Sequence, residues 1–114
     1  MRPEIEQVIN YIHTHLGDNL TLDVLARVIG RSRSHCCSVF TEETGVSPTQ
    51  YVRQLRMERA RCLLDGGMLT IKEIQAKVGL SDRSQFAKSF KAAYGVTPFE
   101  YQRLVRVKRN NPSK

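Results

Sequence analysis

Apolar residues recur along this chain at helical rather than alternating intervals. Over residues 3–16, Ile5, Val8, Ile9, Ile12 and Leu16 stand three or four positions apart. A first helix is therefore expected there, with Gly17 as its stop. Leu22, Leu25, Ala26 and Ile29 mark a second helix, which Thr21 can cap and Gly30 can end. Ser32 can cap a third, whose buried side is Cys36, Val39 and Phe40 and whose stop is Gly45. Ser47-Pro48-Thr49-Gln50 is a capping box with proline at the first helical position. It opens a long helix to about Asp65, with Val52, Leu55, Ala60, Leu63 and Leu64 on its apolar side. Thr70-Ile71-Lys72-Glu73 is another capping box, followed by the stripe Ile71, Ile74, Val78 and a stop at Gly79. Ser81 or Asp82 can cap the next helix, which turns Phe86, Phe90 and Tyr94 inward and ends at Gly95. Thr97-Pro98-Phe99-Glu100 starts a last helix to about Val107. No strand pattern is present. The expected fold is all-α, with about seven helices.

Part of this pattern occurs twice. Thr21-Leu22-x-x-Leu25-Ala26 returns 49 residues later as Thr70-Ile71-x-x-Ile74-Gln75, and Ile29-Gly30-Arg31-Ser32 as Val78-Gly79-Leu80-Ser81. Thr44-Gly45-Val46-Ser47-Pro48-x-x-Tyr51 returns 50 residues later as Tyr94-Gly95-Val96-Thr97-Pro98-x-x-Tyr101. Two copies of short helix, glycine turn and second helix predict two helix-turn-helix units. The expected organisation is an N-terminal subdomain over 1–47, a linker helix over 48–66 and a C-terminal subdomain over 67–108. A polar, disordered tail is expected over 109–114.

Charge adds a partner class. The chain has 114 residues and a formal net charge of +7. Residues 1–48 carry net −2, residues 49–69 net +2 and residues 70–114 net +7. A basic domain of this size commonly meets a polyanion, and here the excess lies in the C-terminal part. No apolar run approaches the roughly 20 residues of a membrane span. Acids replace the apolar stretch of a signal peptide at Met1-Arg2-Pro3-Glu4, so a cytoplasmic location is expected. Cys36, Cys37 and Cys62 form no metal-ligand spacing with each other or with His13, His15 and His35. They read as reduced thiols, with Cys37 exposed and no metal held. Catalysis would need a nucleophile with its base, paired carboxylates or a phosphate-cradling glycine loop. None occurs at useful spacing, so neither an enzyme nor a cofactor is expected.

The motifs Leu22-x-x-Leu25-Ala26-x-x-Ile29-Gly30-x-Ser32, Phe40-x-x-x-x-Gly45-x-Ser47-Pro48-x-x-Tyr51, Ile74-x-x-x-Val78-Gly79-x-Ser81-Asp82-x-Ser84-x-Phe86 and Phe90-x-x-x-x-Gly95-x-Thr97-Pro98-x-x-Tyr101 carry a family resemblance. In these motifs, and in the helix between them, the chain resembles the DNA-binding domain of AraC/XylS transcription regulators over roughly residues 5–105. The resemblance implies a sequence-specific regulator that binds double-stranded DNA through two recognition helices, about 32–44 and 82–94, in adjacent major grooves. An 18-residue connecting helix is about 27 Å long against about 34 Å between groove centres, so one monomer could bridge an asymmetric site.

The positions matching the family's base-reading surface are Ser34, Cys37 and Ser38, with Arg33 and Thr41 alongside. In the second unit the outward set is Arg83, Ser84, Gln85, Ala87, Lys88 and Lys91. Arg83 and Gln85 suit guanine and adenine edges. Arg31, Arg33, Thr41, Lys88 and Lys91 suit phosphates. The first set is small and lacks bidentate chemistry, so the second unit is expected to supply more of the recognition. His35, beside the first helix, is a further candidate for the DNA backbone.

The resemblance also implies contact with RNA polymerase. The chain reads either as a stand-alone regulator, monomeric, or as the C-terminal part of a longer one, in which case a dimer is open. The rival reading is a helix-turn-helix module that meets protein or RNA rather than specific duplex DNA.

Overall fold

The computed structural model describes residues 1–109, with side chains as far as Val107. Among the described residues there are seven helices and no strand. They are α1 (Pro3–Thr14), α2 (Leu22–Val28), α3 (Arg33–Thr44), α4 (Pro48–Gly66), α5 (Ile71–Lys77), α6 (Arg83–Tyr94) and α7 (Pro98–Arg109). The expected tail falls outside the described residues from 110 onward, and Arg109 still belongs to α7.

The caps explain the boundaries. Thr21 Oγ1 accepts from the Val24 amide at 3.3 Å, and Ser32 Oγ from the His35 amide at 3.1 Å. Before α6 it is Asp82, rather than Ser81, that caps, accepting from the Ser84 and Gln85 amides at 2.9 and 3.1 Å. The three boxes close in both directions. Thr70 pairs with Glu73 at 2.8 and 3.1 Å, Ser47 with Gln50 at 3.1 and 3.2 Å, and Thr97 with Glu100 at 2.9 and 3.2 Å. Gly45 and Gly95, with φ of 83° and 81°, end α3 and α6 in the left-handed region that glycine adopts without a Cβ clash.

Two boundaries differ from the sequence reading. α1 ends at Thr14, not 16, and Gly17 has no positive φ. The hydroxyl of Thr14 donates back to the Asn10 and Tyr11 carbonyls, at 3.0 and 3.2 Å, and the amide of the C-cap residue His15 donates to the Tyr11 carbonyl at 2.9 Å. At the other end of the next frame, α4 includes Gly66, and the left-handed residue is Gly67.

The chain divides into two compact units, one over Met1–Gln54 and one beginning at Leu55. The division falls inside α4, which contributes its start to the first unit and its remainder to the second. Each unit is thus a leading helix, a helix-turn-helix and a trailing helix. In the first unit Ile5, Val8 and Ile12 of α1 are buried with Leu25, Ala26, Cys36, Phe40 and Val52. In the second, Met57, Ala60 and Leu64 of α4 repeat that spacing and pack with Ile74, Val78, Phe86 and Phe90. Met57, only 3% exposed, is a core residue that the apolar stripe read from sequence did not include.

A tyrosine fastens each unit. Tyr51 packs edge-on against Phe40 at a centroid distance of 5.4 Å, and its hydroxyl lies 3.1 Å from His13 Nε2 on α1. Tyr101 packs against Phe90 at 5.6 Å, and its hydroxyl donates to Asp65 on α4. In both cases one side chain of the trailing helix grips the second helix of the motif and reaches the leading helix.

Candidate nucleic-acid interface

The second helix of each motif is held from one side only. On α3, Cys36, Val39 and Phe40 are buried, and Ser34, Ser38 and Thr41 lie opposite them at helical spacing, all exposed. On α6, Phe86 and Phe90 are buried, and the corresponding outward positions are Ser84, Lys88 and Lys91. The faces are built alike but charged differently. α3 carries one arginine against Glu42 and Glu43, whereas α6 carries Arg83, Lys88 and Lys91 with no acid.

The remaining expected positions lie on the flanks. Cys37 and Ala87 occupy matching half-buried places, so Cys37 is less open than expected. Burial pushes the neighbouring Cys36 thiol up, so it stays protonated near neutrality. Arg83 is exposed and lines a recess with Ile71, Lys72 and Gln75 of α5. Gln85 is exposed too, but its amide nitrogen donates to Ser89 Oγ at 3.2 Å, so reading a base edge would mean exchanging that bond. Thr41 is exposed, and its hydroxyl donates to the Cys37 carbonyl at 2.7 Å.

Arg31 and Arg33, both exposed, have acidic neighbours. Arg31 Nε lies 3.6 Å from Glu4 Oε2, and Arg33 Nε lies 3.4 Å from Asp23 Oδ1. His35 is turned toward α1 as well. Its Nε2 donates to Glu4 Oε1 at 3.0 Å. The hydrogen bond from His35, against partial desolvation and with help from the charges of Arg31 and Arg2, holds the Glu4 carboxyl below the usual carboxylate value. Glu4 and Asp23 were missed from sequence because no helical spacing links them to the arginines they meet. Lys72 was missed as well, although its place beside the capped start of α5 was a usable signal.

The described residues include no group of three or more side chains placed to hold a metal ion, and no helix long and apolar enough to cross a membrane.

The Helix-turn-helix domain family model matches residues 25–104. The Msm operon regulatory protein of Streptococcus mutans is 33% identical over 102 residues, which are 90% of this chain and 37% of that protein. The chain therefore spans little more than a third of that relative's length. Among solved structures, the C-terminal domain of AraT, a response regulator from Geobacillus stearothermophilus, superposes with a TM-score of 0.86. It is 32% identical, and the match covers 90% of this chain and 86% of that one. The DNA-binding domain of AdpA, solved in complex with a target DNA, gives a TM-score of 0.88 over 96% of this chain and 98% of that one; at 22% identity it bears on the fold alone. With two capped helix-turn-helix units, a shared helix between them and these matches, the chain belongs to the AraC-type helix-turn-helix family of transcription-regulator domains.

Proposed function

We propose that this chain binds double-stranded DNA sequence-specifically and regulates transcription, with α3 and α6 each entering a major groove. The observation that carries the reading is the outward face of α6. Ser84, Lys88 and Lys91 stand exposed on a helix whose opposite face is buried, with Arg83 at its start. A helix presented in that way, at the second position of a helix-turn-helix, suits the major groove. Arg83, Ser84, Gln85 and Ala87 then face base edges, and Lys88 and Lys91 face phosphates. On α3, Ser34, Cys37 and Ser38 take the base positions, with Arg31, Arg33 and Thr41 toward the backbone. The AdpA domain, which shares this fold, is solved in complex with a target DNA.

One monomer suffices for both contacts, so the site is asymmetric. RNA polymerase is the protein partner. The exposed Met68, Phe99, Leu104 and Val107 of the second unit offer apolar surface that such a contact could use. These events take place in the cytoplasm.

Selection of bound sequences from a random duplex pool tests the proposal. The expected result is an enriched asymmetric motif whose better-defined half changes when Arg83 or Gln85 is substituted. Absence of enrichment, alongside tight binding to a protein or RNA, would favour the rival reading.

A further inference from the structure

The two units are built on one plan, which makes their charges comparable position by position. Asp23 is the second residue of α2, and Lys72 is the second residue of α5. Each stands beside the arginine that opens the following helix. Asp23 lies 3.4 Å from Arg33, and Lys72 lines the recess that Arg83 shares. Glu4 immediately precedes the buried Ile5 of α1. Arg56 immediately precedes Met57, the residue of α4 that matches Ile5 in its unit. Arg56 is half-buried. At two matched places the first unit therefore carries an acid where the second carries a base. Both acids touch the basic groups at the entrance of α3: Glu4 meets Arg31 and His35, and Asp23 meets Arg33.

From this we infer that Glu4 and Asp23 set the strength of the first unit's DNA contact by neutralising Arg31 and Arg33, so that they are affinity-determining residues outside the recognition helices. The inference rests on the DNA-binding reading above. A phosphate approaching Arg33 meets the Asp23 carboxylate as well, and the arginine must trade one anion for another. The ion pair is exposed, 67% on the arginine side and 59% on the aspartate side, so the exchange is permitted but its net gain is small. Glu4, with its side chain 22% exposed, is held more firmly because His35 also donates to it. The first unit then contributes through shape and small side chains, and the second supplies most of the counterion release. Beside Arg83 the second unit places Lys72 where the first places Asp23, and its one adjacent acid, Asp82, is spent capping the Ser84 and Gln85 amides.

The test uses Asp23→Asn, Asp23→Lys and Glu4→Gln in the full chain, with Glu6→Gln as a control that alters net charge equally on an exposed position of α1. Binding to a selected duplex is measured between about 50 and 200 mM salt. Asp23→Asn and Glu4→Gln are each expected to tighten binding by about two- to fivefold and to steepen the log–log salt slope by up to about 0.9. Asp23→Lys is expected to exceed Asp23→Asn, and Glu6→Gln to leave the slope unchanged. Affinities and slopes of the Asp23 variants equal to those of the wild type would overturn the inference, and so would equal gains from Glu6→Gln. Asp23 is exposed, so its variants keep the test valid if Glu4→Gln unfolds the unit. Failure of the wild-type chain to bind any duplex defeats the DNA-binding proposal instead.

Discussion

The Tyr51 ring stands edge-on to the Phe40 ring, their centroids 5.4 Å apart and their planes at 75°. This contact joins the trailing helix of the first unit to the buried side of α3, and the Tyr101–Phe90 pair repeats it at 5.6 Å and 74°. Edge-to-face geometry brings the positive rim of one ring onto the negative face of the other, which adds to what burial contributes. The hydroxyls then differ in partner, the His13 ring at one end and the Asp65 carboxylate at the other.

Removing the hydroxyls should separate ring from bond. Tyr51→Phe is expected to lower stability by about 0.5–1.5 kcal/mol, with Tyr101→Phe at or above the upper end because its acceptor is charged. Urea denaturation checks this, and Asp65→Ala should erase the effect of Tyr101→Phe when the two are combined.

Glycines with and without a special conformation should respond oppositely. A Cβ at Gly45 or Gly66 meets no heavy atom within 4 Å, so crowding plays no part at either. Gly45 has a φ of 83°, and Gly45→Ala should cost about 1–2 kcal/mol. Gly66 lies in the last turn of α4 without a left-handed φ, and Gly66→Ala should gain up to about 1 kcal/mol. Thermal melts of the two variants decide it.

Acid should attack the capping boxes. Hydrogen bonds from the Thr70 and Thr97 backbones hold the Glu73 and Glu100 carboxyls below the usual value of 4.5. A carboxyl that is more acidic in the folded chain contributes stability fully above its unfolded pKa. That contribution is lost as the pH falls through the folded one. The melting temperature should therefore drop below about pH 4.5, and Glu73→Gln and Glu100→Gln should each flatten the drop. An unchanged acid limb in both variants would count against the boxes as its source.

The α6 lysines should act without regard to sequence. Lys88→Ala and Lys91→Ala are expected to weaken binding to matched and mismatched duplexes alike and to reduce the salt slope by about 0.9 each. Arg83→Ala should instead lose about 1–3 kcal/mol of discrimination at one base position. If Ser34 or Cys37 substitutions relax specificity more, α6 is not the principal reader.

Local signals carried most of the fold. Threonine, serine or, before α6, aspartate ahead of an apolar stripe, and glycine after it, mark the ends of α2, α3, α5 and α6 because caps depend on residues within four positions of each other. Gly17 misled because α1 ends at Thr14, three residues ahead of the glycine, with His15 as its C-cap. Met57 escaped notice because α4 serves two cores in succession, so its apolar positions do not form one stripe. At the interface, outward positions followed from the buried ones by helical geometry. The ion pairs of Arg31 and Arg33 did not, since they depend on where α1 and α2 pass α3.

Each second helix is fastened by its cap, its buried side and its trailing tyrosine, so the outward positions take no part in the core. Ser34 already matches Ser84, so rewriting Ser38 and Thr41 as lysine gives α3 the set α6 carries, with the caps and core left as they are. The chain in that sense contains a socket and two interchangeable faces, and its duplication offers a ready-made donor for transplanting one reading surface onto the other.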